Sequence, residues 1–362
     1  MNTPDGNAAL MQIIRDRIEK DGPHSFEWFM QQALYHPEHG YYSSGRCQIG
    51  RKGDYFTNVS VGPLFGHLLA AQFAEIWKRL GKTNDFIIVE QGAHDGQFAR
   101  DVLEFLREHL PEFFESLRYR ILEPFPILKE HQRRKLAMFG DKVEWPDSPE
   151  PFAGVHFSNE LLDAMPVRLV SNGGEKLVGL EGDKFVFVEC SQRTTASQPS
   201  RDRGAFNQPA LDWIDETAAN LNRGYIIAID YGRSEEGFHG KVQVRAQHRN
   251  LDSPFEQIGY ADLTMSVDWE SIIERAKANG LCIAGFTDQH HFLTGILSVI
   301  QSGRFPQLLL AESPKANREL KTLLHPEMLG RAFQVLALAK NVENNQPPLA
   351  GFKFARHLIQ SD

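Results

Sequence analysis

Cysteine is scarce in this chain: Cys47, Cys190 and Cys282 are the only three among 362 residues. They lie far apart and none stands in a CxxC pair, which argues against a zinc site and against a disulfide framework. A reducing compartment, the cytoplasm, is the expected location. Long apolar runs are missing as well. No stretch approaches the ~20 apolar residues that cross a bilayer, so no membrane span is expected. The opening MNTPDGNAALMQIIRDRIEKDG carries acids where a secretory signal has its apolar core. An excess of basic charge is absent too. The 39 Lys and Arg residues face 47 Asp and Glu, for a net charge of −8. That balance excludes nonspecific nucleic-acid binding, which relies on basic patches to neutralise phosphates, and leaves room for a basic partner. There is no GxSxG, so Ser-His-Asp hydrolysis lacks its nucleophile motif. His36 with His39, and His290 with His291, have no convergent cysteine or acid partners, and no metal is expected. Nothing in the sequence fixes an oligomeric state.

What is present is an alternation of strand and helix. Residues 1–85 read as mainly helical, with Leu69, Phe73, Ile76, Trp77 and Leu80 on one face of a helix. Between its helices lies a glycine-rich, aromatic stretch, HPEHGYYSSGRCQIGRKGDYFTN, expected as an ordered loop. Over residues 86–165 the strands Phe86–Glu90, Tyr119–Glu123, Lys142–Trp145 and Val155–Glu160 alternate with helices at Phe98–His109 and Ile127–Ala137. This pattern predicts a parallel sheet covered by helices on both faces. Residues 166–223 break it with three antiparallel strands, Val167–Val170, Lys176–Leu180 and Lys184–Glu189. Asn172-Gly173-Gly174 and Glu181-Gly182-Asp183 carry the turns, and the polar RTTASQPSRDRGAFNQP that follows is expected to be mobile. The segment reads as an insertion rather than an independent domain. Over residues 224–342 the alternation resumes with Tyr225–Asp230, the helix Ser271–Asn279, Leu281–Phe286 and Arg331–Lys340; residues 343–362 form a tail. Asp212, Asp215 and Glu216 read as the solvated face of a helix.

The chemistry gathers at strand ends. Val89-Glu90-Gln91-Gly92-Ala93-His94-Asp95-Gly96 follows the first strand and opens onto a helix. Gly92 and Gly96 let backbone pass close to a ligand, and the helix start offers unpaired N–H groups. An acid such as Glu90 beside this turn suits an adenosyl-amino-acid ligand, with the carboxylate near its ammonium. A purely structural glycine turn is the competing reading, since the GxGxxG spacing of dinucleotide binders is missing. Glu123 ends the second strand, where a carboxylate commonly accepts two ribose hydroxyls; a solvated strand-end acid is the plainer alternative. Asp147, after the third strand, is a candidate for the adenine amine. The fourth strand ends in Ser158-Asn159-Glu160-Leu161-Leu162-Asp163-Ala164-Met165-Pro166. Asn159 offers an amide there. Glu160 and Asp163 face one side if a helical turn begins at once, and two carboxylates over a crevice hold a guanidinium or an amine. The bland alternative is a pair of acids at a helix N-terminus.

Taken together, several segments carry a resemblance: Phe29-Met30, Ala33-Leu34-Tyr35, Gly40-Tyr41-Tyr42, Gly53-Asp54-Tyr55-Phe56-Thr57-Asn58, Leu64-Phe65-Gly66, Val89–Gly96, Leu122-Glu123, Asn159–Val167, Ile229-Asp230-Tyr231-Gly232, Ala261-Asp262-Leu263-Thr264 and Phe333-Gln334-Val335-Leu336-Ala337. In order and spacing they resemble the MidA-like S-adenosylmethionine (SAM)-dependent methyltransferases over most of the chain. The resemblance implies an α/β, Rossmann-like class I methyltransferase sheet, with a helical N-terminal region and an antiparallel β insertion. It implies SAM over Gly92 and Gly96, the ribose on Glu123, and Thr57 helping to cover the cofactor. Asn159, Glu160 and Asp163 would line the acceptor side, and a protein arginine would be the acceptor. A small-molecule methyltransferase and a non-catalytic assembly protein with a degenerate SAM site are the alternatives. The family turn reads Glu-x-Gly-Pro-Gly-x-Gly, whereas this chain has His94 at the central glycine. If that position demands a positive φ, histidine there stores about 1–3 kcal/mol of strain.

Overall fold

The computed structural model describes residues 6–47, 57–171, 174–190, 204–232, 242–300, 313–343 and 345–355. The expected loop over 48–56 with the Gly53–Phe56 motif, the Asn172-Gly173 turn and the polar run over 191–203 lie outside the described residues. The chain divides into two compact units.

The larger unit comprises residues 57–161, 213–234 and 269–362. Its sheet has seven strands: β1 Phe86–Gln91, β2 Leu117–Leu122, β3 Val143–Glu144, β4 Phe152–Asn159, β5 Leu221–Tyr231, β6 Cys282–Asp288 and β7 Phe333–Lys340. They lie in the order β6-β7-β5-β4-β1-β2-β3. Pairing is parallel between β1 and β2, β1 and β4, β2 and β3, and β4 and β5. Only β7 runs against its neighbours, pairing antiparallel with β5 and β6. The central strands read as continuous apolar runs because both faces are covered by helices: Phe86, Ile87, Ile88 and Val89 of β1 are all buried. Behind them the Phe98 and Phe157 rings stack 4.4 Å apart, and Phe73 meets both edge-on.

This topology decides where a ligand fits. From β1 the chain proceeds outward to β2 and β3, then returns to lay β4 on the other side of β1. The strand order reverses there, and the crevice outside the carboxyl ends at such a reversal is where open α/β sheets bind ligands. The ends of β1, β2 and β4 carry Glu90, Glu123, Asn159 and Glu160 of the sequence-predicted residues. Residues 57–85 were expected in an N-terminal helical region. They fall in this unit instead, because the helix Leu64–Arg79 buries its apolar stripe here, from Phe65 to Trp77.

The smaller unit comprises residues 1–56, 162–212 and 235–268. The expected insertion strands form, at Arg168–Ser171, Gly174–Glu181 and Lys184–Cys190. They pair antiparallel with one another and with His24–Ser25 and Gly204–Phe206. The insertion thus shares its core with the N-terminal helices Ala8–Asp21 and Phe26–Tyr35: Leu10, Ile14, Phe29, Met30, Val178 and Leu263 pack in one buried cluster. Among the described residues, no helix is long and apolar enough to cross a membrane.

Candidate active site at the strand ends of the larger unit

The turn after β1 is tightly wound. Gly92 and Gly96 have φ of +83° and +80°, values that a residue without Cβ adopts freely. Gly96 is the left-handed residue that starts the helix Gln97–His109. His94 also has a positive φ, +46°, so the condition for strain at this position is met. Asp95 braces the turn: one carboxylate oxygen accepts the Gln97 amide at 3.1 Å and the other accepts the Lys135 ammonium at 2.5 Å. Burial alone would raise the Asp95 pKa; hydrogen bonds from His94 and Lys135 outweigh it and hold the carboxyl well below the usual range.

Glu90 lies one residue before the end of β1. It is buried, and its carboxyl accepts the Tyr119 hydroxyl of β2 at 2.8 Å. Desolvation pushes its pKa up to about 8, and the neighbouring acids Asp95 and Glu123 add to the rise. Among the described residues it has no ion-pair partner. Glu123, just past β2, is buried as well. One of its oxygens accepts the Phe125 amide at 3.0 Å and the other the Gln132 side chain at 2.8 Å. Burial raises its pKa, and these donors pull the other way.

The end of β4 is the second centre. The structure corrects one premise here: no helical turn begins after Asn159. Glu160 leaves the strand with φ +55°, and residues 162–165 form only a turn. Two contacts hold the kink. The Glu160 amide donates to the Ile229 carbonyl at 3.0 Å, and the Leu161 amide donates to the Asp230 carboxylate at 3.1 Å. The second Asp230 oxygen accepts the Tyr231 amide at 2.7 Å. Beside the kink, Glu160 Oε1 accepts the Asn159 side-chain amide at 2.8 Å and the Asn58 backbone amide at 3.4 Å. Asn159 Oδ1 accepts the Asn58 side chain at 3.0 Å. Because an ionised carboxylate only accepts, Glu160 orients the Asn159 amide, which in turn orients that of Asn58. The chain of amides ends at Asn58 Oδ1, buried and without a partner.

The other predicted residues sit differently. Thr57 is buried, and its hydroxyl accepts the Ser60 amide at 3.2 Å in a capping box. The Asp147 side chain is fully exposed and pairs with Lys129 at 3.3 Å. Asp163 belongs to the smaller unit, where it is buried and its carbonyl accepts the Met265 amide at 2.8 Å. Sequence reasoning missed Gln132, Trp145, Asp230 and Asn58 as site residues. Asp230 and Asn58 stood inside quoted motifs. Gln132 gave no signal, since it is one polar residue on a charged helix.

The larger unit's residues fit an adenosyl-amino-acid. A buried carboxyl with no ion pair among the described residues suits an ammonium, a strand-end carboxylate suits ribose hydroxyls, and two left-handed glycines open the turn to close approach. Comparison with known proteins agrees. A family model for S-adenosyl-L-methionine-dependent methyltransferases matches residues 68–287. The human protein arginine methyltransferase NDUFAF7, mitochondrial, is 25% identical over 97% of this chain and 87% of its own length. The Drosophila melanogaster homologue is 26% identical over 96% and 89%. A Burkholderia thailandensis crystal structure bound to S-adenosyl-homocysteine superposes with a TM-score of 0.84, at 28% identity over 98% of both chains. The chain therefore belongs to the family of S-adenosyl-L-methionine-dependent methyltransferases.

Proposed function

We propose that this enzyme methylates a guanidinium nitrogen of a protein arginine, with Glu160 as the residue that holds the acceptor. The observation carrying the proposal is the kink at Glu160: a non-glycine residue in left-handed backbone, at the reversal point of the sheet, fixed by Asp230 and flanked by Asn58 and Asn159. Strain of this sort persists only where surrounding contacts over-determine it, and it clusters at functional sites. The names of the relatives, protein arginine methyltransferases, give the acceptor class.

SAM supplies a methyl group already activated on a sulfonium. The chain's own task is mainly alignment, worth up to ~7–11 kcal/mol in favourable cases. Glu90 would meet the ammonium of SAM, Glu123 its ribose, and Gly92 and Gly96 the backbone approach, with Thr57 and Asn159 close to the donor. Asp147 would stand on the adenine side. Glu160 would hold the guanidinium by direct pairing and orient one nitrogen toward the methyl carbon. As the N–C bond forms the C–S bond breaks, S-adenosylhomocysteine leaves, and the carboxylate would take the proton the nitrogen sheds. Asp163 stays with the acceptor side on the resemblance alone. The cytoplasm is the compartment we propose, on the scarcity of cysteine, three in 362 residues.

The test has two parts. Calorimetric titration with S-adenosylhomocysteine should show binding that Glu123→Ala abolishes. Methyl-labelled SAM, incubated with enzyme and a cell extract, should label a protein on arginine, and Glu160→Gln should not. Label found only on small molecules would overturn the acceptor class.

A further inference from the structure

The side chain of Gln132, on the helix Pro126–Leu136, is completely buried. Its Nε2 donates to the His94 carbonyl at 2.7 Å and to Glu123 Oε2 at 2.8 Å. Its Oε1 accepts the Trp145 indole N–H at 2.9 Å. These bonds also fix the amide's orientation, because a carbonyl and a carboxylate both require a donor while an indole requires an acceptor. Its stem packs on the turn as well: a Cβ added at Gly96 would lie 3.4 Å from Gln132 Cγ. One side chain therefore ties the turn after β1 to the carboxylate after β2.

We propose that Gln132 is the positioning residue of the donor site: it sets the glycine-turn backbone and the Glu123 carboxylate in one fixed relation, and by holding the His94 carbonyl it makes a histidine tolerable there. The proposal rests on the reading of Glu123 as the ribose carboxylate. Where the family turn has glycine, this chain carries a residue with φ +46°, and such a backbone needs an external hold. A fully satisfied buried amide provides one, since loss of any of its bonds would orphan a buried group.

The electrostatics give the proposal a distinctive readout. Gln132 donates to the ionised form of Glu123 and so favours it, against the burial that raises its pKa above the ordinary 4.5. The Phe125 backbone amide, His94 and Lys129 act in the same sense as Gln132; Glu90 is the neighbouring carboxyl, and Glu123 raises its pKa. Removing the amide therefore moves the protonation of Glu123 to higher pH. A protonated Glu123 accepts ribose hydroxyls less well, so cofactor affinity should fall off earlier on acidification.

The experiment is calorimetric titration of the full chain with S-adenosylhomocysteine across pH. It is repeated in a His94→Gln background, which removes the imidazole whose charge acts on Glu123. Gln132→Met should weaken binding about tenfold or more and move the acid-side loss of affinity up by about one pH unit. Trp145→Phe keeps both Nε2 bonds and should shift the same profile less, in the same direction. Adding His94→Gly to Gln132→Met should recover part of the affinity, and absence of recovery overturns the claim about His94. A folded Gln132→Met chain with wild-type affinity and an unmoved profile overturns the proposal. If Gln132→Met does not fold, an unmoved profile in Trp145→Phe does so. Wild-type binding by Glu123→Ala would instead remove the ribose reading beneath it.

Discussion

The turn after β1 and the turn after β4 solve the same problem by different means. Each puts a non-glycine residue into left-handed backbone at the carboxyl edge of the sheet, His94 at +46° and Glu160 at +55°. After β1 the hold comes from a distant helix, through Gln132 on the His94 carbonyl. After β4 it comes from the adjacent strand, through Asp230 on the Leu161 amide. In the first turn the strained residue lends its backbone and two glycines share the bend. In the second no glycine helps, and the strained residue is itself the proposed acceptor ligand. Strain is thus incidental to the side chain in one turn and positions it in the other.

The comparison can be broken first at Glu160. Glu160→Gln should lower the methyl-transfer rate by about 10²–10³-fold with S-adenosylhomocysteine affinity unchanged; equal loss of both would place Glu160 on the donor side. The next effect belongs to its hold. Asp230→Ala leaves two backbone amides short of an acceptor, and should lower unfolding free energy by about 1–3 kcal/mol together with transfer rate. Wild-type stability in a denaturant titration would mean that the kink stands without Asp230. Glu90 tests the first turn through pH. With a folded pKa of about 8 against an ordinary 4.5, the folded chain keeps a proton in that window that the unfolded chain has lost. Stability should therefore fall as pH rises from 4.5 to about 8, and Glu90→Gln should flatten the slope. Binding of an ammonium should expel that proton, so the heat of S-adenosylhomocysteine binding near pH 7 should vary with buffer ionisation enthalpy. His94→Gly should change stability by about 1 kcal/mol at most, because relief of strain is offset by a more flexible unfolded chain. Asp147→Ala should have the smallest effect, leaving the denaturation midpoint unmoved, as befits an exposed ion pair.

Much of the larger unit was legible because its signals are local. A run such as Phe86–Val89 closed by a glycine turn and a helix needs no distant partner to be read, and β1, β2, β4 and β5 form within a few residues of their expected places. The left-handed demand at His94 was legible as a condition, since the turn is written in consecutive residues. The backbone after β4 was not. Glu160 and Asp163 were spaced for a helix, yet the Ile229 carbonyl and the Asp230 carboxylate, some seventy residues on, capture the amides of Glu160 and Leu161. Nor could local pattern show that the N-terminal helices share a core with the insertion strands, because that core joins residues far apart in the chain.

The sequence by itself determined the alternation of strand and helix, the acids at strand ends, the glycine turn and the family, all properties of neighbouring residues and their order. Only the tertiary structure decided which acids are buried, which amides hold them, and that Gln132, unremarkable on its helix, reaches the turn and the carboxylate together. Burial and hydrogen-bond partnership depend on what the rest of the chain brings alongside, and that is not written at any single position.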